Sequence, residues 1–302
     1  MKKLILTLPF IFSAFSGHGQ NSEQFTGSLL WKISGNGLEH PSYIFGTHHL
    51  VDVSFAQNYP GFAEALEGAA QVIGEIDMAE MASAQTAMMS AAVLPAGTTY
   101  ETLLSADELQ LLDSLLKGYL GAGLDRYGQF RPAIVNQIMV MKQIAEAMPE
   151  LNLKAHISID QYVQDTAKEK GKKTGGLETA ADQIQAMLYA DPLEIQAKSL
   201  LCALSSMEKT RDGIREMIEV YEQGDLFRAY EMGFEDPESP CPLSKEWAFA
   251  LNENRNNKWV EQLPGIFADA PTFVAVGMLH LCGQEGLLYQ LDQLGYTVEP
   301  VK

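Results

Sequence analysis

The amino-acid sequence predicts an α/β fold: a mixed central sheet built from two related strand-Gly-x-x-His-helix-strand halves, with a helical insertion in the middle. Three observations predict it. Short apolar runs rich in Ile, Val and Phe lie near both ends of the chain; each end follows such a run with Gly-x-x-His-Leu; and the long stretch between them has helical rather than alternating spacing.

Taken in order, Leu29 to Ser34 and Tyr43 to Phe45 read as two strands joined through the turn dipeptide Asn36-Gly37, an antiparallel entry to the sheet. The first motif, Gly46-Thr47-His48-His49-Leu50, follows. Gly61 to Gly68 has helical spacing, and Gln71 to Ile76 reads as a short buried strand. From Met78 to about Ala147 the pattern is helical, with a cap at Ser105 and a break at Gly121 and Gly123. Its methionines, among them Met78, Met81, Met88, Met89, Met139 and Met141, read as soft core packing. Ser158 to Lys170 is a further helix, Lys172 to Leu177 a strand, and Thr179 caps another helix with Asp182 at capping-box spacing. Helices run from Pro192 to about Phe234, and the loop Asp236 to Pro242 precedes one long helix from about Ser244 to Leu263. Thr272 to Val276 is an apolar strand, Gly277-Met278-Leu279-His280-Leu281 is the second motif, Glu285 to Gln293 is a helix, and Tyr296 to Val301 is the last strand. No low-complexity linker interrupts the chain, so residues 21–302 read as one domain whose helical middle spans about 78–265.

Composition narrows the function classes. Of 302 residues 46% are hydrophobic and 20% charged, which places the chain among globular proteins. Met1-Lys2-Lys3, an apolar stretch from Leu4 to Phe15 and small or polar residues from Ser16 to Gln20 have the layout of a secretory signal peptide, so residues 1–20 are expected to be removed and the mature protein to be periplasmic or secreted. No other stretch approaches the roughly 20 apolar residues of a membrane helix. Losing Lys2 and Lys3 takes the formal net charge from -18 to -20, which repels nucleic acid and anionic membrane surfaces. Three cysteines allow one disulfide and leave one thiol; the sequence leaves the pairing open, with a preference for Cys202 and Cys241 because Cys282 sits beside the second motif.

The chemistry-bearing residues gather at predicted strand ends, where open α/β sheets collect ligands. A histidine three residues past a glycine turn projects over the sheet edge as a metal ligand or general base, and two copies point to one shared centre. Adjacent histidines in an extended segment point opposite ways, so His49 is taken as the inward residue and His48 as a supporting or surface group. Glu75 and Asp77 end the Gln71 strand with a spacing of two and share a face; Glu75 completes a set of two histidines and one carboxylate suited to Zn, Mn, Fe or Co. Asp77 reads equally as a helix cap. Glu178 is either a further carboxylate or a favourable charge at a helix start, and Arg255 either an oxyanion or carboxylate anchor or half of an ion pair. Arg131 is a weaker parallel, and His40 and His156 show no partner pattern. No nucleophile elbow, His-Glu-x-x-His, Walker loop or dinucleotide fingerprint is present.

At these residues the chain resembles the TraB/PrgY/GumN family, which includes the Tiki metalloproteases and is distantly related to erythromycin esterase-like and ChaN haem-binding proteins. The matching segments are Leu30-Trp31-Lys32-Ile33, Ser42 to Leu50, Ile73-Gly74-Glu75-Ile76-Asp77, Gly176-Leu177-Glu178-Thr179 with Gln183, Asn254-Arg255-Asn256 with Trp259, and Val276 to Leu281. The resemblance implies a mixed α/β sheet with an interior site using His49, Glu75 and His280, with Arg255 nearby. It also implies hydrolysis. The expected protein is an exported metal-dependent hydrolase, a peptidase by preference, in which His49, His280 and Glu75 hold a divalent ion, Glu178 or Asp77 acts as base and Arg255 stabilises negative charge. Two other readings stand beside it: a non-catalytic protein that sequesters haem, a peptide or a small ligand in the same cleft, and metal-free hydrolysis by a histidine base with Glu75.

Overall fold

A computed structural model describes residues 25–153, 155–235 and 239–302, the side chains of 208–211 apart; the proposed signal segment lies outside the described residues. Six strands form one mixed sheet: β1 (Leu30–Gly35), β2 (Ser42–Thr47), β3 (Gln71–Gly74), β4 (Lys173–Gly176), β5 (Thr272–Gly277) and β6 (Tyr296–Pro300). They lie in the order β4-β3-β5-β2-β1-β6. β2, β5, β3 and β4 are parallel neighbours, whereas β1 runs antiparallel to both β2 and β6. The β1–β2 hairpin turns at Asn36, the one described non-glycine residue at positive φ (47°), followed by Gly37 at 84°.

Helices α1 (Val53–Gln57) and α2 (Phe62–Gly68) carry the chain from β2 to β3. After β3 come α3 (Met81–Ala91), α4 (Tyr100–Leu103), α5 (Ala106–Leu120), α6 (Leu124–Tyr127), α7 (Pro132–Ala147) and α8 (Ile159–Glu169), and then β4. Between β4 and β5 lie α9 (Ala180–Leu188), α10 (Leu193–Ser205), α11 (Met207–Glu222), α12 (Leu226–Tyr230), α13 (Lys245–Leu251) and α14 (Glu253–Asp269); α15 (Leu287–Gln293) links β5 to β6. The fold is therefore α/β, and its two motif-bearing units interleave: β5 inserts between β2 and β3.

The central strands β2, β3 and β5 are buried, which is why they read as short apolar runs, whereas the outer strands β4 and β6 are largely unburied. Phe45, Phe62, Phe273 and Trp259 sit in the core around the sheet. A second apolar cluster, with Leu112, Leu116, Val135 and Leu200, holds α4, α5, α7 and α10 together away from the sheet.

Two expectations are corrected. The single helix over Ser244 to Leu263 is two helices, α13 and α14, broken at Asn252 (φ -118°, ψ -81°). Asn252 Nδ2 donates to Leu279 O at 2.8 Å, so its side chain satisfies the second motif's backbone instead of a helix interior. The methionines also divide: Met139 is buried, but Met89 and Met141 are exposed and Met78 and Met81 line a cleft. α3 buries none of its residues, which leaves Met81 and Met89 exposed, and Met141 lies on the unburied side of α7.

Candidate functional site

The parallel strands deliver their carboxyl ends to one edge, and the candidate residues leave it in spatial order: Glu178 after β4, Glu75 after β3, His280 after β5 and His49 after β2. The two motifs are neighbours, with Gly46 opposite Val276 and Thr47 opposite Gly277. Close approach favours glycine at both turns, more strongly at Gly46 than at Gly277. A Cβ on Gly46 would stand 2.8 Å from Leu281 Cδ1 and 3.2 Å from Met278 Cα, and one on Gly277 would stand 3.3 Å from Glu75 Oε1. The bare Gly277 N–H instead donates to Glu75 Oε1 at 2.8 Å.

Arg255, buried on the first turns of α14, is the hub. Its Nη2 donates to Glu75 Oε2 (2.6 Å) and Glu178 Oε1 (2.7 Å), its Nε to both Glu178 oxygens (3.2 and 3.0 Å), and its Nη1 to Leu251 O and His280 Nε2 (both 3.0 Å). A guanidinium has five N–H groups, and these contacts use them all. Trp259 Nε1 adds a bond to Glu178 Oε2 at 3.2 Å. Glu178, 5% exposed, is thus sealed against Arg255 and Trp259; it holds the arginine and has no free edge for a base's work. Arg255 likewise has no donor left for a substrate oxyanion. Asp77 caps the turn after β3, its carboxylate accepting from Ala79 N at 2.9 Å.

His280 is buried and neutral. Its Nδ1 donates to Asn256 Oδ1 at 2.7 Å, because Asn256 Nδ2 is already committed to Asn252 Oδ1 and Glu285 O; Nε2 is then the acceptor for Arg255. Burial pushes its pKa down to about 3. Burial also opposes charge on Glu75, but Arg255, His49 and the Gly277 N–H outweigh it and hold the carboxyl at about 2.

His49 differs on every count. Its side chain is 70% exposed to the cleft, and Nδ1 meets Asp160 Oδ2 at 3.0 Å. That hydrogen bond, opposed by partial burial of the ring and helped by the charges of Asp160 and Glu75, raises its pKa to about 9. Exposure screens the effect, so the secure part is its direction: above the ordinary histidine range. Thr47 Oγ1 donates to Asp160 Oδ1 at 2.6 Å and fixes the carboxylate; His156 Nε2 donates to His49 O at 2.8 Å and fixes the backbone. His48 points the other way, its ring 5.3 Å from that of Tyr221, with burial lowering its pKa to about 4.

A cleft of about 430 Å³ opens over these groups. His49, Glu75, Arg255 and Asp160 form its polar floor, and Met78, Met81, Met187 and Leu251 belong to its apolar wall. Asp160 and Gln164 escaped sequence reasoning. Both lie on α8; Gln164 donates to Ile76 O (2.9 Å) and accepts from Met78 N (3.0 Å), clamping the turn that presents Glu75. In the sequence Asp160 looks like an ordinary acid in a helix's first turn after the cap Ser158.

As arranged, the residues do not fit an ion held jointly by His49, His280 and Glu75. Both nitrogens of His280 and both oxygens of Glu75 are engaged within the protein, and the cation at the centre of the set is the Arg255 guanidinium. Among the described residues no three His, Cys, Asp or Glu side chains form a group able to hold a metal ion. Cys282 is buried and free, its thiol pushed up to about 12 by burial, and Cys202 is bonded to Cys241.

Fold and site together define an α/β protein with a histidine-carboxylate cleft at the switch point of a mixed sheet. The family model described as the TraB/PrgY/gumN family matches residues 29–300, and the chain belongs to that family. No curated protein and no solved structure matches the chain. No described helix is long and apolar enough to cross a membrane.

Proposed function

We propose that the protein is an exported hydrolase, acting on peptides or similar amide- or ester-bearing substrates in the cleft above the strand ends. One observation carries the reading: the Asp160-His49 pair, in which the carboxylate takes Nδ1 and leaves the ring exposed to the cleft beside Glu75. A buried carboxylate fixes the tautomer and orientation of a histidine and stabilises its imidazolium. Nε2 of neutral His49 takes a proton from water as the water oxygen bonds to the substrate carbonyl carbon. The same proton passes to the leaving nitrogen or oxygen as its bond to carbon breaks, which restores the neutral ring. Glu75, held as a carboxylate, orients the water, while Arg255 and His280 hold Glu75.

Metal-dependent hydrolysis stays within the same proposal as a testable alternative, because a divalent ion on His280 Nε2 requires Arg255 Nη1 to leave it. The apolar wall of Met78, Met81, Met187 and Leu251 favours the second reading, retention of haem, a peptide or a small ligand without turnover.

The experiment is cleavage of a peptide library by purified protein before and after exhaustive chelation, with metal analysis alongside. Activity that survives chelation, disappears in His49→Ala and rises with pH beyond the usual histidine range supports the histidine-base route. Stoichiometric metal lost in both His49→Ala and His280→Ala replaces it with the metal route. Ligand retention or a haem absorption band, with no cleavage under either condition, sinks both.

A further inference from the structure

A second cavity, of about 360 Å³, lies against the same helix that walls the cleft. Met187 of α9 lines both spaces, so one half-buried side chain borders each of them. The far cavity is lined by Leu200, Leu243 and Trp247, and the Cys202–Cys241 disulfide forms part of its wall, tying α10 to the chain that leads into α13. Trp247, half-buried, lies along it with these leucines, and a half-exposed indole beside leucines is a platform for an apolar side chain.

We infer that this cavity is a specificity subsite for an extended peptide, accepting a large apolar side chain against Trp247. In an extended peptide, side chains on one face recur every second residue, about 7 Å apart. That spacing suits two recesses that share Met187 in their linings. A peptide crossing Met187 places one side chain over His49 and Glu75 and the next on its face beside Trp247. The substrate class follows: polypeptide with an apolar or aromatic residue two positions from the bond over His49. The inference rests on the peptide-hydrolase reading for the cleft, but occupancy of the cavity is measurable without turnover.

The test titrates the purified full chain with N-acetylated, C-amidated hexapeptides of Gly and Ser carrying one Leu or Phe at successive positions, following tryptophan emission. Of the three tryptophans, Trp31 and Trp259 are buried (2% and 0% exposed) and Trp247 is half-buried, so Trp247 is the reporter and Trp247→Phe the control. Expected are a saturable blue shift with Leu and Phe peptides, no shift with the Gly/Ser peptide, and loss of the shift in the control. Ser199→Arg fills the cavity from an exposed position and weakens binding about tenfold. In cleavage, the preference for an apolar residue two positions away disappears in Ser199→Arg while turnover of Gly/Ser-flanked peptide holds. Absence of any emission change, or a cleavage preference that Ser199→Arg leaves untouched, overturns the subsite. A saturable shift without cleavage keeps the subsite and removes the hydrolase; cleavage without a shift does the reverse.

Discussion

The two Gly-x-x-His turns share their letters and adjoin in the sheet, yet their histidines live in opposite chemical settings. His49 is 70% exposed, faces a carboxylate and is raised to about 9; His280 is 8% exposed, faces a guanidinium and is lowered to about 3. The glycine fixes where the backbone turns, and the partner fixes what the histidine does. Those partners come from elsewhere: Asp160 stands 111 residues beyond His49, and Arg255 comes from α14. One turn makes a working group at the cleft, the other a brace for the arginine beneath it.

Breaking the brace has the largest expected effect. Arg255→Met leaves Glu75 and Glu178 buried without their cation, which is expected to cost about 3–5 kcal/mol in urea unfolding. His280→Ala strips Arg255 Nη1 of one acceptor, orphans Asn256 Oδ1 from its donor and removes a ring 4.5 Å from Trp259, for an expected loss of about 1–3 kcal/mol. His49→Ala, at an exposed position, is expected to change stability by less than about 0.5 kcal/mol while abolishing cleavage. Equal losses in the two histidine variants refute the division of roles.

The pH dependence sharpens the same contrast, with opposite signs. His280 has an ordinary value of 6.5 and a folded value of about 3, so its contribution is full above 6.5 and is lost as pH falls toward 3. His49 is raised to about 9, so its contribution is full below 6.5 and is lost as pH rises through about 9. Urea midpoints measured across pH are expected to lose part of their slope between 6.5 and 3 in His280→Ala, His48 and Glu75 keeping the rest, and part of their alkaline slope in His49→Ala.

Much of this was legible in the sequence because strand ends carry strong local signals. The apolar runs, the two glycine turns and Glu75 after Ile73-Gly74 are local patterns, and the α/β class follows from them. What stayed hidden depends on contacts between distant segments. Asp160 resembles any acid in a first helical turn, the break at Asn252 depends on a carbonyl of the second motif, and the saturation of Arg255 is visible only when all five N–H groups are counted in space. A charged residue such as Glu178 reads from sequence as free chemistry, whereas burial against Arg255 and Trp259 makes it structural.

A variant with little effect on stability gives the sharpest test of His49. Asp160→Asn keeps an oxygen that can accept from Thr47 Oγ1 but removes the charge that faces the imidazole. Because the histidine end of the pair is open to water, unfolding is expected to shift by no more than about 1 kcal/mol. The His49 titration, followed by its ring resonances in NMR, is expected to move from about 9 down toward 6.5, since the hydrogen bond that His49 donates to Asp160 is the largest cause of the elevation. The His280 ring is expected to stay neutral throughout, because none of its partners has changed. If peptide cleavage depends on neutral His49, its rising pH limb moves to lower pH by the same interval in Asp160→Asn. A limb that stays fixed while the ring titration moves would assign the proton transfer to another group, leaving the Asp160-His49 pair a structural contact.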